Sequence, residues 1–249
     1  MKLKCLVASA FLCVSSAHAI ELPPVPKDPI ANKQELLFAD DFEGKVPDKV
    51  WHRVVPTFSV ENGMLKGIQT RDVTIPAKDG KPEIRAHAAV HGLEIATSNS
   101  VIEAKIRFEG ASMIDIEFDD RAYKGAHYGH LCRVQFRMNG VTIIDECEGN
   151  MRNDIRELKN DPTKKAEVTK LLVGRQVTYA LKLEANKWYA VVVETVGDMM
   201  RVTLDGNPVA FLKSPGIAHS PKSKIELGVA GKDGYFDDIK VWAAEPTQR

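Results

Sequence analysis

The stretch WYAVVVETVGDMMRVTLDG, residues Trp188–Gly206, carries the pattern that decides the fold. Apolar and polar residues alternate on both sides of Gly197-Asp198, a dipeptide that suits a two-residue hairpin turn. Pairing across that turn sets valine opposite valine on one face and Glu194 opposite Arg201 on the other, as partners of opposite charge. A slip of one residue would ruin both matches, so the sequence predicts an antiparallel hairpin in this register.

The same alternation continues through much of the chain. Apolar residues take every second position in Ile102–Phe108, Ile114–Phe118 and Val177–Leu183, and residues 225–230 and 235–242 are typical of two closing strands. A period of two indicates half-buried antiparallel strands with one polar face. Many short strands of this kind predict an all-β antiparallel sandwich.

Residues 150–174 interrupt the strand pattern. Asn150 and Asp161 are typical N-caps, Pro162 suits the first helical position, and Gly174 suits the end of a helix. We therefore expect a short helical insertion of one or two helices between strands.

The N-terminus has the features of an export signal. Lys2 and Lys4 precede an apolar run at residues 5–14, and Ala17-His18-Ala19 has the small-x-small pattern of a cleavage site. This run is shorter than the roughly 20 residues that span a bilayer. We expect residues 1–19 to be a signal peptide, cleaved near Ala19, and the mature protein to be periplasmic or extracellular, with no membrane span.

The rest of the chain is expected to form one domain. Residues 20–34 are proline-rich and predict an extended leader, residues 35–243 the domain, and residues 244–249 a C-terminal tail. The 34 Lys and Arg residues balance the 34 Asp and Glu residues. No nucleic-acid partner is expected, because nucleic-acid binding usually requires a basic excess.

Two cysteines remain after the signal, Cys132 and Cys147, on either side of Asn139-Gly140. Asn-Gly is the strongest short signal for a type I′ hairpin turn. A turn at that dipeptide would set the two cysteines directly opposite each other, within reach of a disulfide. Because an exported protein meets an oxidising compartment, we expect a disulfide rather than two free thiols or a zinc site.

Three motifs follow one another along the chain. They are LFADDFEG (Leu37–Gly44) with Trp51 and VENGML (Val60–Leu65), the hairpin Trp188–Gly206, and FDDIKVW (Phe236–Trp242). In this order they resemble the concanavalin A-like lectin/glucanase jelly roll, the laminin-G-like group. Residues 35–243 are most similar to the bacterial 3-keto-disaccharide hydrolase domain, which is also described as family-16-glycoside-hydrolase-like. The resemblance implies a jelly-roll β-sandwich and a carbohydrate or glycoside partner, although this fold hosts enzymes and simple binders alike.

The segment MIDIE, residues 113–117, resembles the catalytic strand of family 16 glycoside hydrolases, Glu-x-Asp-x-Glu. Asp115 and Glu117 match its second and third places, which implies an assisting role and an acid/base role. Met113 stands in the nucleophile's place, so a retaining mechanism fails unless Asp119 substitutes. A solvated strand face could also carry these acids. Three carboxylates on one face repel one another, and metal binding or a raised pKa would relieve that repulsion.

The histidines form a second candidate cluster. His87 and His91 lie near a strand start, and His127 and His130 lie in the loop before the Cys132 hairpin. Loop residues held by a rigid sheet are favoured for function, and histidine with Asp or Glu can bind a divalent metal. Ordinary surface or hydrogen-bonded histidines are the alternative.

The Cys132 hairpin also has a polar face. Arg133, Gln135 and Arg137 alternate along its first strand, with Glu146 expected opposite Arg133. This face could be the floor of a sugar-binding groove or simply a solvated face. Asp145 falls on the apolar side, so it either follows a bulge or is held for function.

The leading hypothesis is a secreted protein that hydrolyses the glycosidic bond of a small glycoside. If the resemblance extends to the substrate, a ketone at C3 acidifies the C2 proton, and a base can start an elimination. The candidate residues are His130 or His91 as base or metal ligand, Glu117 and Asp115 as acid or metal ligands, and Arg133 as enolate stabiliser. The expected metal ligands are Asp115, Glu117 and His130.

Two alternatives belong to other classes. A non-catalytic glycan-binding module would be favoured by a platform of exposed aromatic rings, but aromatic residues are 7% of the chain. An extracellular protein-binding domain of the laminin-G-like type would need a large exposed apolar patch.

Overall fold

The computed structural model describes residues 22–44, 51–55 and 58–248, so the predicted signal peptide lies outside the described residues. The strands within these ranges are β1 (Ala31–Asp40), β2 (Trp51–Val55), β3 (Phe58–Glu61), β4 (Met64–Gly67), β5 (Ala89–Leu93), β6 (Ser100–Asp119), β7 (His130–Arg137), β8 (Gly140–Asp145), β9 (Gln176–Ala180), β10 (Trp188–Val196), β11 (Met199–Leu204), β12 (Asn207–Lys213) and β13 (Lys224–Pro246). The α-helices are α1 (Asn153–Leu158) and α2 (Lys165–Leu171).

Two long strands, β6 and β13, pair antiparallel from Lys224 opposite Asp119 to Ala243 opposite Ser100. Their register shifts at Gly231, and their other neighbours change there. One half of the β6–β13 ribbon continues into β10, β11 and β12 on one side and β1, β4 and β3 on the other; we call this layer the back sheet. The other half continues into β7, β8 and β9 and into β5 and β2, and this layer is the groove sheet.

The two sheets share one apolar core. Ile102 and Ile106 from the back-sheet half of β6 pack in the same cluster as Ile114 and Phe118 from its groove-sheet half. The alternation in the sequence therefore predicted correctly which face of β6 is apolar. The result is an antiparallel β-sandwich in which β6 and β13 belong to both layers.

The predicted hairpin at Trp188–Gly206 is confirmed. Glu194 lies opposite Arg201, and Val193 lies opposite Val202. The segment before β1 covers the charged pair: Arg201 Nε donates to the Pro26 carbonyl at 2.9 Å. Strand β1 begins at Ala31, and β13 extends to Pro246, so both predicted domain boundaries fall inside strands.

The helical insertion is present, with one difference. Asp161 caps the turn that leads into α2 by accepting a hydrogen bond from Thr163 N, and Pro162 follows it as predicted. Gly174 has a φ of +72°, as expected for a residue that ends a helix. Asn150 is not an N-cap, because it ends a π-turn over Glu146–Asn150 and Arg152 precedes α1.

The predicted register of the Cys132 hairpin is wrong by two residues. Arg137 pairs with Gly140, so the turn is Met138-Asn139, and Cys132 faces Asp145. Gly140 is used inside the strand, because a Cβ there would lie 2.8 Å from the Tyr179 carbonyl oxygen of β9. Cys132 and Cys147 are buried free thiols, and the predicted disulfide between them is absent.

Within the described residues, no helix combines the length and the hydropathy that a membrane crossing requires.

Candidate functional site

Three carboxylates lie on the outer face of the groove sheet. Asp115, Glu117 and Asp119 alternate along β6 with side chains that fill the core, and each is at most 4% exposed. The expectation of a solvated strand face is therefore wrong at these positions. Buried carboxylates require charged or hydrogen-bonding partners, and neighbouring strands supply them.

Arg133 is the central partner, and it lies on β7 directly opposite Glu117. Its Nη1 donates to Asp115 Oδ2 at 3.1 Å. Its Nη2 donates to Glu117 Oε1 at 2.5 Å and to Glu146 Oε2 at 2.8 Å. One guanidinium thus joins three carboxylates, and Glu146 reaches it from the turn that follows β8.

His130 lies at the start of β7, where a register shift places it opposite Asp119. Its Nδ1 lies 2.6 Å from Glu117 Oε1 and 3.0 Å from Asp119 Oδ1. Burial lowers the pKa of His130, but the hydrogen bonds to Asp119 and Glu117 outweigh burial and raise the pKa to about 10. His130 is therefore an imidazolium at neutral pH and is not the base that the sequence suggested.

Strand β13 adds two charged residues to this cluster. Glu226 lies opposite Glu117, and Lys224 lies opposite Asp119. These two side chains form an ion pair and are both buried. The whole set, which we call the charged cluster, contains Asp115, Glu117, Asp119, Glu146, Glu226, His130, Arg133 and Lys224, with two more carboxylates than cations.

Burial, together with neighbouring carboxylates, raises the pKa of two members of the charged cluster. Burial raises the pKa of Glu146, and the nearby charge of Glu117 raises it further, to about 7, against the opposing effect of Arg133. Burial also raises the pKa of Asp115, although Arg133 counteracts it. Glu146 therefore exchanges its proton near neutral pH, which is the range that suits an acid/base catalyst.

The charged cluster opens on a groove of about 870 Å³. Arg133, Gln135 and Glu146 form its floor, and Asn153 and Arg156 of α1 belong to the opposite wall. The helical insertion therefore has a function in the architecture, because it converts one flank of a sheet into a cleft. A cleft that contains a few convergent polar groups and a shifted pKa is a candidate catalytic site.

His91 lies elsewhere, on the core side of the groove sheet. Its ring stacks between Trp51 and Phe58, at centroid distances of 5.1 Å and 5.2 Å, and the residue is 2% exposed. The sheet separates it from the charged cluster, so the prediction of a catalytic or metal-binding His91 is corrected to a core residue. His87 is exposed, and its Nδ1 donates to the Ala88 carbonyl oxygen at 2.8 Å, outside the groove.

The predicted metal ligands come together only in part. Glu117 and His130 lie within 4.8 Å of a third possible ligand, but that ligand is Glu146 rather than Asp115. Arg133 donates to both Glu117 and Glu146, so a divalent ion at these three side chains would compete with the guanidinium for their carboxylates. Binding there would also require His130 to release its proton, because metal ligands must be deprotonated.

The structure explains the position of Asp145 and shows two site residues that the sequence analysis missed. Asp145 is buried on the apolar side because it holds the turns around it: its carboxylate accepts from Gly216 N and Glu148 N, each at 2.9 Å, and from the Ser214 hydroxyl. Glu226 was overlooked, although its place between Ile225 and Leu227 sets it on the polar face. Glu146 was noted opposite Arg133 but not as a site residue.

The comparisons with known proteins come from structure alone. No family model matches the sequence, and no curated protein matches it. The laminarinase from Rhodothermus marinus superposes with a TM-score of 0.55 at 11% identity, over 87% of this chain and 100% of that one. The endo-β-1,3-glucanase from Pyrococcus furiosus gives 0.54 at 12%, over 88% and 100%. Porphyranase B from Zobellia galactanivorans gives 0.52 at 12%, over 90% and 99%. The chain therefore has the concanavalin A-like jelly-roll fold, as its sequence predicted.

Proposed function

We propose that the protein is an exported hydrolase that cleaves the glycosidic bond of a small glycoside bound in the groove. Glu146 carries this proposal: it is a buried carboxyl on the groove floor, its pKa is about 7, and it lies 2.8 Å from a guanidinium. Glycan-cleaving enzymes among the solved structures with the same fold are consistent with a carbohydrate substrate.

A retaining double displacement is not the mechanism that this geometry supports. Such a mechanism needs a carboxylate nucleophile across the scissile bond from the acid. Met113 occupies the nucleophile's place on β6, and Asp119 is already engaged by His130. The groove floor instead contains one group that can transfer a proton, Glu146, and one fixed cation, Arg133.

These two groups suit elimination from a 3-keto glycoside. Ionised Glu146 removes the C2 proton, and the C2–H electrons form a C2=C3 double bond while the carbonyl electrons move to the C3 oxygen, which gives the enolate. The C3 carbonyl then re-forms, the C2=C3 electrons move to a C1=C2 double bond, and the glycosidic oxygen leaves C1 with its electron pair. Glu146 then gives its proton to that oxygen. Water adds across the double bond, with its hydroxyl at C1 and its proton at C2, so the net reaction is hydrolysis. A single group with a pKa near the working pH can serve in both proton transfers.

Arg133 is placed to stabilise the enolate that forms during the first step. Burial alone would lower the pKa of Arg133, but the charges of Glu117, Glu146 and Asp115 raise it well above its ordinary value. Arg133 therefore remains a cation at every relevant pH. Asp115 and Glu117 fix the orientation of its guanidinium, so the donor is oriented before the substrate arrives.

The test measures sugar release from 3-keto-trehalose by the wild-type protein and two variants. We expect the rate to rise with pH through about 7, because the base must be ionised, and Glu146→Gln to lose at least about 100-fold. Glu148→Gln is the matched control, because Glu148 lies two residues away and pairs with Arg152 instead. Equal losses in the two variants would contradict the role of Glu146.

The same assay distinguishes the proposed hydrolase from a glycan-binding module and from a metal-dependent enzyme. No release from this substrate, with saturable binding to it, would identify a glycan-binding module and overturn the enzyme proposal. Activity that is lost in a chelator and restored by a divalent ion would show that a metal, rather than Arg133, stabilises the enolate.

A further inference from the structure

Tyr128 has a backbone conformation that its side chain does not favour. The non-glycine residues with positive φ in the described ranges are Phe42, Asn62, Asp79, Tyr128, Asn186, Asp205, Asp233 and Asp238. Six of these eight are Asn or Asp, which tolerate the left-handed region. Phe42 is explained by the core, because its ring is 1% exposed and contacts Trp51. Tyr128 is 82% exposed, so core packing does not explain its conformation.

The loop around Tyr128 is held firmly. His127 N donates to the Met151 carbonyl at 2.8 Å, and Ala126 forms a bridge with Arg152. Gly129 lies so close to Asp120 that a Cβ would fall 2.0 Å from the Asp120 carbonyl oxygen. The ring is thus presented outwards by a fixed backbone, and strain that a fixed structure maintains is typical of a binding position.

The ring borders a second cavity of about 500 Å³, which we call the Tyr128 hollow. Its lining includes Arg121, Tyr123, Lys124 and Asn153. Asn153 lines the main groove as well, so the two cavities adjoin. His130 lies between Tyr128 and the charged cluster, because its ring centroid lies 6.5 Å from that of Tyr128 and its Nδ1 lies 2.6 Å from Glu117 Oε1.

We propose that the Tyr128 hollow is a second sugar subsite, which binds the leaving-group sugar while the main groove binds the sugar that is cleaved. A pyranose has a C–H face that can lie on the Tyr128 ring and hydroxyls that can pair with Arg121, Lys124 and Asn153. The preferred substrate is therefore a disaccharide or a longer chain. This inference rests on the proposed function, because it assigns the second half of the same substrate.

The test compares two substrates that share the cleaved sugar, 3-keto-trehalose and methyl 3-keto-α-glucoside. Tyr128→Asn removes the ring but suits the left-handed backbone, so we expect it to raise the melting temperature. We expect the ratio of kcat/KM for the disaccharide over the methyl glycoside to fall about 3- to 10-fold. Tyr128→Phe keeps the ring and should keep the ratio. Val173→Asn, which changes an exposed apolar residue outside both cavities, is the matched control.

Calorimetric binding of both substrates to the Glu146→Gln protein gives a second readout without catalysis. The same fall in the affinity ratio on adding Tyr128→Asn supports the subsite. An unchanged ratio, or an equal fall for both substrates, overturns it even if both are cleaved. If neither substrate binds or is cleaved, the proposed function fails, and the subsite fails with it.

Discussion

Two of the buried groups of charges in the described part of the chain lie on opposite sheets. On the back sheet, Arg201 pairs with Glu194, and the segment before β1 satisfies both: Arg201 donates to the carbonyls of Pro26 and Lys27, and Glu194 accepts from Ile30 N. On the groove sheet, the charged cluster has an excess of carboxylates. Its Arg133 has a buried Nε without a hydrogen-bond partner among the described residues.

The comparison distinguishes an ion pair that is closed off within the fold from a cluster that borders the candidate site. Both groups contain a cross-strand pair on the polar face of a sheet, and in both another part of the chain covers that face. Where the covering segment supplies backbone partners, the pair is complete and closed. Where the covering element is a helix set back from the sheet, the charges remain unbalanced and face a groove. Incomplete satisfaction of buried polar groups is the feature that indicates a site.

Among these predictions, removal of Arg133 should cause the largest loss of both kcat and unfolding free energy. Arg133→Met is expected to lower kcat by about 10²- to 10³-fold, because it removes the oriented donor to the enolate. It also leaves three buried carboxylates without their cation, so we expect a loss of about 3–5 kcal/mol in unfolding free energy at pH 8. That loss should be smaller at pH 5, where the carboxylates can take up protons. Turnover and urea unfolding at both pH values measure these effects. An Arg133→Met variant that turns over at the wild-type rate would refute the role assigned to Arg133.

Removal of Arg201 should cost stability without a comparable loss of catalysis. Arg201→Met leaves Glu194 buried and unpaired, with an expected loss of about 3–5 kcal/mol. Amide hydrogen exchange should accelerate in residues 22–30, which the pair anchors, while kcat of the remaining folded protein stays near that of the wild type. A selective loss of kcat would show that the two groups of charges are coupled.

Glu146 should make stability depend on pH in a defined direction. Its pKa is about 7 in the folded protein and 4.5 in its ordinary setting, so the folded state favours the protonated form. This contribution is complete below pH 4.5 and is lost as the pH rises through 7. Glu146→Gln removes the dependence, so its stability relative to the wild type should rise by about 3 kcal/mol from pH 4.5 to pH 8. A difference that is constant with pH would contradict the assigned pKa.

The smallest expected effect concerns the cysteines. Because Cys132 and Cys147 are free in the structure, a reductant should not change the melting temperature. Mass spectrometry of the unreduced protein after alkylation under denaturing conditions should find two modified thiols. A single disulfide-linked species would restore the register that the Asn-Gly turn suggested.

Local alternation was enough to predict parts of β6 and β9 and the Trp188–Gly206 hairpin, and capping residues predicted the position of the helical insertion. The Asn139-Gly140 turn was mispredicted because Gly140 lies inside β8, where the Tyr179 backbone of β9 leaves no space for a side chain. The sequence of the hairpin alone does not show this contact with a third strand. The burial of Asp115, Glu117 and Asp119 was also hidden, since it depends on partners from β7, β13 and the turn after β8. Arg133 was predicted to lie opposite Glu146, but it pairs with Ile144. The contact forms because Glu146 reaches the guanidinium from the turn after β8.

The central place of β13 affects how the protein can fold during its synthesis. This last strand pairs along its length with β6, more than a hundred residues earlier, and it lies in both sheets. Neither sheet can be completed until β13 has emerged from the ribosome, and such distant pairings form slowly. The segments that precede β13 therefore stay open until this strand has been made. If the protein is exported, as we propose, this delay would keep the chain unfolded for passage through a narrow translocation pore.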